Sequence, residues 1–328
     1  MRIKITTSLR WPIERQILDG IGKEHEFNIN DSSVLECDAW IIYQGLNRPE
    51  SARCPPENVI LFTYEPPGLH NYLPQFLKQF SKIVTCHRTI QHPDIVYRHQ
   101  AQPWLAGLCR DNKENIHSSD FVTFTADDFL AMKPPYKSRM ISVLCSNKAM
   151  TQGHRRRLAF VETLQRTFGK DLDIFGYGFQ PLADKWDGLS KYKYHIVLEN
   201  STIEDYWSEK LADAYLGYCF PIVSGCLNLD NYFSNDAYLP IDVDSPEQAA
   251  NMIQNLIEQD PYKDRLPAIG AAREKILGEY NLFSEIPRLI KQVSASNREK
   301  ITLKDERLFM TGGFLKPLVR PIKDWVAR

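Results

Sequence analysis

The stretch that decides the fold runs from Tyr192 to Pro221 and reads YKYHIVLENSTIEDYWSEKLADAYLGYCFP. Its apolar segment HIVL predicts a buried strand, and the polar segment ENST that follows predicts a loop. Helical spacing then begins at Tyr206, with Asp205 as the predicted N-cap and Gly217 just past the helix end. In an open α/β sheet, ligands bind at the carboxyl ends of strands against helix starts, so this unit predicts a ligand site.

The polar residues of this stretch lie where such a site would form. They are Glu199, Asn200, Ser201, Tyr206, Ser208, Glu209 and Lys210. Tyr206 and Lys210 are four residues apart, which predicts that they share one helical face. A lysine near a helix N-terminus is opposed by the helix dipole, and a bound anion such as a diphosphate would remove that conflict. The structural alternative is a solvated helix face carrying a Glu–Lys pair.

The run YKYHIVLENSTIEDYWSEKL resembles the signature of the family 10 glycosyltransferases, the α-1,3/1,4-fucosyltransferases. That signature has YKF, an apolar strand, FEN, a short loop, a tyrosine and (T/S)EK on a helix, followed by a P(V/I)V-type strand. The corresponding residues are Tyr192-Lys193-Tyr194, Leu198-Glu199-Asn200, Tyr206, Ser208-Glu209-Lys210 and Pro221-Ile222-Val223-Ser224-Gly225. The similarity extends from about Ser142 to Asp244 and implies the GT-B fold, an α/β class with two Rossmann-like domains facing a cleft.

The resemblance also implies roles for five donor-side residues. Arg157 and Lys210 correspond to the side chains that contact the diphosphate, Glu209 to the ribose ligand, and Asn200 and Tyr206 to further donor contacts. Three consecutive arginines at 155–157 leave the register open by a residue. For each position a purely structural role is the alternative: a basic helix start, a carboxylate favoured by the helix dipole, or a buried polar group that satisfies loop backbone.

Glu65 is the predicted catalytic base, since it directly follows the buried strand VILFT and lies in a Pro-rich turn. In the family a Glu in a GEN context follows a similar strand of the first domain and serves as base. Here the text is TYEPP, which departs from that pattern. A carboxylate that only bonds local backbone N–H groups is the alternative, and His70, His87 and His92 lie downstream as competitors.

The amino-acid composition and net charge argue against some classes of protein function. The 328 residues suggest two domains, and 43% hydrophobic with 25% charged residues is ordinary for a globular chain with a sizeable core. The net charge of −1 disfavours nucleic acid as a partner. Seven scattered cysteines without zinc spacing predict free thiols in a reducing compartment and no metal site.

The N-terminus lacks the apolar region of a signal sequence, and no run reaches the length of a membrane span. We therefore expect a cytoplasmic, bacterial-type enzyme that is peripheral to the inner membrane at most. A basic segment with aromatics at 311–328 could dock on an anionic membrane surface, or could pack back across the domains.

The predicted domains are residues 1–135 on the acceptor side, 136–295 for donor binding, and a basic, amphipathic tail at 296–328. The boundary is placed at Pro134-Pro135. Further predictions are an amphipathic helix over 12–21 and an irregular segment over 48–58, where three prolines occur.

The predicted function is inverting transfer of L-fucose from GDP-fucose to a hydroxyl of a glycan acceptor, in bacterial surface polysaccharide or lipopolysaccharide synthesis, with no obligatory cofactor. A GT-B transferase that uses another nucleotide sugar remains an alternative, because the first domain departs from the family. A catalytically silent protein that binds glycans or nucleotide sugars is the alternative from another class.

Overall fold

The computed structural model describes residues 1–109, 121–147, 149, 152–292 and 297–310. These residues form two compact units. The first unit consists of Met1–Gln102 with residues 282–292 and 297–310, and the second consists of the described residues between 103 and 281.

The strands, in chain order, are β1 Arg2–Thr7, β2 Glu26–Ile29, β3 Ala39–Tyr43, β4 Glu50–Cys54, β5 Val59–Phe62, β6 Lys82–Thr85, β7 Ile95–Tyr97, β8 Arg139–Leu144, β9 Leu172–Phe175, β10 Tyr192–Leu198, β11 Phe220–Ser224, β12 Leu239–Pro240 and β13 Glu299–Leu303. The α-helices are α1 Asp19–Glu24, α2 Pro74–Leu77, α3 Ala126–Ala131, α4 Gln152–Phe168, α5 Glu209–Leu216, α6 Pro246–Gln259, α7 Tyr262–Leu277 and α8 Leu282–Leu289.

The main sheet of the first unit has the order β2-β1-β3-β5-β6-β7, and every neighbouring pair is parallel. The central strands β3 and β5 are buried along their whole length, which is why they read as continuous apolar runs in the sequence. Helix α8 returns to this unit and buries Leu282, Phe283 and Ile286 against Ile3 and Ile5. That contact joins two segments almost 280 residues apart in one core.

The sheet of the second unit has the order β12-β11-β10-β8-β9 and is also entirely parallel. Parallel neighbouring strands must be joined by crossover connections. Helix α4 lies in the connection from β8 to β9, and helix α5 lies in the connection from β10 to β11. The two parallel sheets, each in its own unit, confirm the predicted α/β class with two Rossmann-like domains.

The boundaries between the two units differ from the predicted domain boundaries. The predicted boundary at Pro134-Pro135 falls inside the second unit, which begins at Pro103, and α8 belongs to the first unit. The entering segment is fixed because Trp104 packs on Phe129 at a ring separation of 6.3 Å. Prolines mark a break in local structure, whereas a unit boundary depends on packing between distant residues.

Two local predictions in the first unit are wrong. The segment over 12–21 is not one helix but a 3₁₀ turn, Ile13–Gln16, followed by α1. The segment over 48–58 contains β4, which pairs antiparallel with β13. The prolines flank β4 instead of interrupting it, and its partner lies 245 residues further along the chain, where local sequence gives no sign of it.

Part of the predicted tail therefore belongs to the first unit. Glu306, just past β13, accepts hydrogen bonds from the Leu73 backbone N–H at 2.5 Å and from His70 Nε2 at 2.8 Å. The residues proposed to contact a membrane, 311–328, lie outside the described residues. None of the helices in the described parts of the chain is both long and apolar enough to cross a membrane.

Candidate functional site

The strand order of the second unit singles out one place on its sheet. Counted from β8, the order is 2-1-3-4-5, so the chain connections leave β8 and β10 in opposite directions. Ligands of open α/β sheets bind in the crevice at the carboxyl ends of such a strand pair. Here β8 is followed by Ser146 and β10 by Glu199 and Asn200.

Arg157, on the second turn of α4, reaches across this strand pair. Its Nη1 donates to Asn200 Oδ1 at 2.9 Å, and its Nη2 donates to the Ser146 carbonyl and hydroxyl oxygens at 3.3 Å each. The side chain thus joins the end of β8 to the end of β10. Helix α4 places it there because its buried positions, including Arg157, face the sheet.

The same helix settles the register among the three arginines. Arg157 is 6% exposed, whereas Arg155 and Arg156 lie on the solvent side. Arg156 forms an exposed ion pair with Asp244 at 3.0 Å. Only Arg157 of the three therefore lies at the strand ends.

Arg157 is a buried cation with neutral partners. Among the described residues no carboxylate lies within ion-pair distance of it, and its Nε has no hydrogen-bond partner there. A buried charge is costly unless an opposite charge compensates it. The arrangement favours an anion at the ends of β8 and β10.

The start of α5 supplies a second cation. Ser208 is the N-cap and accepts the Lys210 backbone N–H, and its hydroxyl donates to Glu199. Lys210 Nζ lies 3.2 Å from Glu199 Oε2 and 3.5 Å from Glu209 Oε1. Glu199 is fully buried at its side chain, so its charge is available to Lys210 without competition from water.

Two predictions about this helix start are wrong. The helix begins at Glu209, not at Tyr206, so Tyr206 and Lys210 do not share a helical face. Asp205 is not the N-cap: its backbone has a φ of 58°, and its carboxylate accepts from Asn228 Nδ2 and Tyr232 Oη. Those partners lie more than 20 residues ahead, which explains why local spacing suggested a cap. Tyr206 itself is 1% exposed in this loop, and its donor contact stays a prediction.

The unfavourable position of Lys210 at a helix start is resolved inside the protein. Burial alone would lower the pKa of Lys210, but Glu199 and then Glu209 outweigh it and raise that pKa. Burial would likewise raise the pKa of Glu209, but Lys210 and Lys185 lower it to about 2. Both groups are therefore ionised at neutral pH.

Sequence reasoning missed Lys185 and Asp213, which extend this charge cluster. Lys185 Nζ lies 3.4 Å from Glu209 Oε1 and 3.1 Å from Asp213 Oδ2. Asp213 Oδ1 accepts the backbone N–H groups of Leu105 and Ala106. The spacing of four between Glu209 and Asp213 was a readable signal for a shared face, whereas nothing local pointed to Lys185.

A glycine allows the next strand end to approach Glu199. Gly225 directly follows β11, and a Cβ on it would lie 2.6 Å from the Glu199 Cγ atom. Any side chain at this position would displace Glu199 or the loop. Gly225 is therefore required for close packing against the carboxylate that holds Lys210.

His195, in the middle of β10, is neutral. Ser142 Oγ donates to the Gly188 carbonyl at 2.7 Å, so its hydroxyl proton is used there and His195 Nδ1–H donates to Oγ at 2.8 Å. Burial, with smaller contributions from Lys185 and Lys137, lowers the pKa of His195 to about 3.

This buried histidine predicts acid sensitivity. Below its ordinary pKa of 6.5 the unfolded chain binds a proton that the folded protein excludes until about pH 3. The free energy of unfolding should therefore fall by up to about 1.4 kcal/mol per pH unit over this window because of His195. Urea unfolding of wild type and His195→Asn between pH 7 and 4 measures this, and equal slopes for the two proteins would contradict it.

Glu65 lies in the first unit, after β5, one strand beyond β3 in the sheet. The surrounding turn is held by side chains: His87 Nε2 donates to the Glu65 carbonyl at 2.7 Å, and Gln102 Nε2 donates to the Tyr64 carbonyl at 2.8 Å. The Tyr64 backbone N–H donates to Tyr72 Oη at 3.3 Å. The backbone of the turn therefore does not depend on the Glu65 carboxylate for these bonds.

His70 and His87 are both engaged in structure: His70 stacks on Tyr72 at 4.1 Å and pairs with Glu306. His92 Nε2 donates to the Phe80 carbonyl at 3.0 Å, and His92 Nδ1 accepts the Asp94 backbone N–H at 3.2 Å. Within the described residues no cluster of three or more His, Cys, Asp or Glu could hold a metal ion.

Known proteins are similar to this chain mainly in the part that contains the donor-side residues. Residues 134–264 match the family described as glycosyltransferase family 10 (fucosyltransferase) C-term. A 4-galactosyl-N-acetylglucosaminide 3-alpha-L-fucosyltransferase of Pongo pygmaeus is 30% identical over 106 residues, which is 30% of this chain and 29% of that protein. A human 3-galactosyl-N-acetylglucosaminide 4-alpha-L-fucosyltransferase matches with the same identity and coverage. The chain thus matches less than a third of the length of these relatives.

A crystal structure of alpha1,3-fucosyltransferase with GDP-fucose aligns with a TM-score of 0.46 and 14% identity, over 84% of this chain and 90% of that one. The family match contains all five donor-side residues and ends well after β11, while Glu65 lies outside it. Residues 134–264 thus match the C-terminal part of glycosyltransferase family 10, the fucosyltransferase family.

Proposed function

We propose that this protein transfers L-fucose from GDP-fucose to a hydroxyl of a glycan acceptor, with inversion at the anomeric carbon. The observation that carries the proposal is Arg157, a buried cation without a carboxylate partner among the described residues, placed at the ends of β8 and β10. The family match of residues 134–264 and the similarity to fucosyltransferases support GDP-fucose as the donor.

The donor side requires groups that receive the negative charge of the departing GDP. Arg157 and Lys210 are the proposed diphosphate ligands, and Glu209 the ligand of the ribose hydroxyls. Arg157 lowers the pKa of Lys210 to a small extent, so the two cations lie within electrostatic reach of each other. An anion bound to both would remove this repulsion, and such preorganised charges stabilise a leaving group without any metal.

The acceptor side requires a base. We propose that a Glu65 carboxylate oxygen takes the proton of the acceptor hydroxyl. At the same time the hydroxyl oxygen forms its bond to the anomeric carbon, and the bond from that carbon to the diphosphate oxygen breaks. A fixed turn around Glu65 supports this, because its backbone is held by His87, Gln102 and Tyr72. Asn200 and Tyr206 are proposed as further donor contacts.

The proposed setting is cytoplasmic synthesis of bacterial surface polysaccharide, including lipopolysaccharide. All seven cysteines are free in the structure, which supports a reducing compartment. Contact of the tail with a membrane surface stays a prediction.

GDP should stabilise the protein more than UDP. At a concentration 100-fold above its dissociation constant, GDP adds about 2.7 kcal/mol to the stability of the folded state, which for a chain of 328 residues is roughly 4 °C in melting temperature. A thermal-shift panel with GDP, UDP, CMP and dTDP measures this, and activity follows as GDP release from GDP-fucose with candidate glycans. An equal or larger shift with UDP would favour the alternative of another nucleotide sugar.

GDP binding without any transfer to a broad acceptor panel would favour a silent binding protein. An active Arg156→Met control would show that removing a neighbouring exposed arginine is without effect.

A further inference from the structure

Lys185 is a partly buried cation of the second unit that the proposed donor contacts do not use. It opens the 3₁₀ turn Lys185–Gly188, whose N-cap Asp184 accepts the backbone N–H groups of Trp186 and Gly107 at 2.8 and 2.9 Å. The turn is thus bonded to the segment where the chain enters this unit. The Lys185 ammonium is held between Glu209 and Asp213.

We propose that Lys185 is a positioning residue, which fixes the Glu209 carboxylate for the ribose hydroxyls of the donor nucleotide and leaves Lys210 for the diphosphate. The inference rests on the proposed function and names a residue that this function does not by itself require.

The geometry of α5 creates the need for such a cation. Glu209 and Asp213 lie one turn apart on the same face, where like charges repel. The Asp213 side chain is 2% exposed, so water cannot screen it. Its Oδ1 is bonded to Leu105 and Ala106, and its Oδ2 faces Lys185, which therefore compensates both carboxylates at once.

The position of Lys210 gives Lys185 its second effect. Both lysines approach the same oxygen, Oε1 of Glu209, at 3.4 and 3.5 Å. The hydrogen bond from Lys185 and the charge of Lys210 on one oxygen restrict the rotation of the carboxylate. Without Lys185, Lys210 would be the remaining cation beside both Glu199 and Glu209. The Lys210 ammonium would then pair more strongly with Glu209 and less with the diphosphate.

The experiment compares GDP with 2′,3′-dideoxy-GDP by titration calorimetry at pH 7. Wild type should prefer GDP by about tenfold, the usual scale for a charge-assisted hydrogen bond. Lys185→Met should bind GDP about tenfold more weakly and should lose most of that preference, whereas Lys185→Arg should retain it. Loss of a neighbouring cation should also move the acid limit of GDP binding to higher pH, because burial then raises the pKa of Glu209 with less opposition.

Two further variants separate positioning from simple charge balance. Lys185→Met/Asp213→Asn removes the uncompensated carboxylate, while the amide oxygen of the substituted side chain keeps an acceptor for the backbone of 105 and 106. We expect this double variant to fold and still to lack the ribose preference. Lys193→Met removes an ion pair with Asp260 near the opposite end of β10 and should bind both nucleotides like wild type.

The outcomes are distinguishable. A folded Lys185→Met protein that keeps the wild-type preference overturns the inference, and so does full restoration of the preference by the added Asp213→Asn change. A wild type that binds both nucleotides equally overturns the inference and leaves the proposed function intact. A wild type that binds no GDP overturns both.

Discussion

Replacement of Arg157 by methionine should weaken GDP binding by roughly ten- to a hundredfold, which corresponds to the loss of about 1.5–3 kcal/mol from a charge-assisted contact. Methionine fills much of the same space among the buried residues of α4 but carries no charge. In the nucleotide-free protein the stability should change little. The variant no longer buries an uncompensated cation, and this gain opposes the loss of its hydrogen bonds to Asn200 and Ser146.

Calorimetric titration of GDP measures the first quantity, and urea unfolding the second. Arg156→Met is the matched control, since it removes an arginine of the same helix whose partner is the exposed Asp244. Surface ion pairs of this kind contribute about 0–1 kcal/mol, so the control should bind GDP like wild type. A reversed result, with weak binding in the Arg156 variant only, would move the anion contact to the exposed side of α4.

Replacement of Glu65 by glutamine should reduce fucosyl transfer by about a hundredfold or more, the scale of general base catalysis. Glutamine is nearly isosteric and keeps an acceptor oxygen, but it cannot take up the acceptor proton. The turn should survive, because His87, Gln102 and Tyr72 hold its backbone through bonds that the substitution leaves in place. GDP affinity should remain that of wild type, since the proposed GDP ligands all lie in the second unit.

The measurement is initial-rate transfer from GDP-fucose together with GDP titration on the same preparation. The pH–rate profile of the variant should also lose its acidic limb. Parental rates in a folded Glu65→Gln protein would exclude Glu65 as the base. Gln79→Glu, which changes charge on another partly buried residue of the first unit, controls for general electrostatic effects and should transfer at the wild-type rate.

The sequence alone determined the class of fold and the resemblance of one segment to a known family. Continuous apolar runs such as those of β3 and β5 indicate strands covered on both faces, and their alternation with helices indicates parallel sheets. The ordered signature from Tyr192 to Gly225 resembles that of family 10, and residues 134–264 match the C-terminal part of that family. These features are readable because periodicity and short-range spacing are properties of the chain itself.

Only the tertiary structure decided those features that depend on contacts between residues far apart in the sequence. It distinguished Arg157 from Arg155 and Arg156, because only the packing of α4 on the sheet shows which arginine is buried. It moved the start of α5 to Glu209, because Asp205 bonds Asn228 and Tyr232 instead of the helix.

The unit boundary and the charge cluster have the same physical origin. Asp213 fixes the entering segment through backbone N–H groups more than 100 residues away, and Lys185 meets Glu209 across 24 residues. The free energy of a buried charge is set by the groups around it in space, and spacing along the chain does not report which groups those are. The sequence thus named the residues of the proposed donor site, and the fold decided which charges they face.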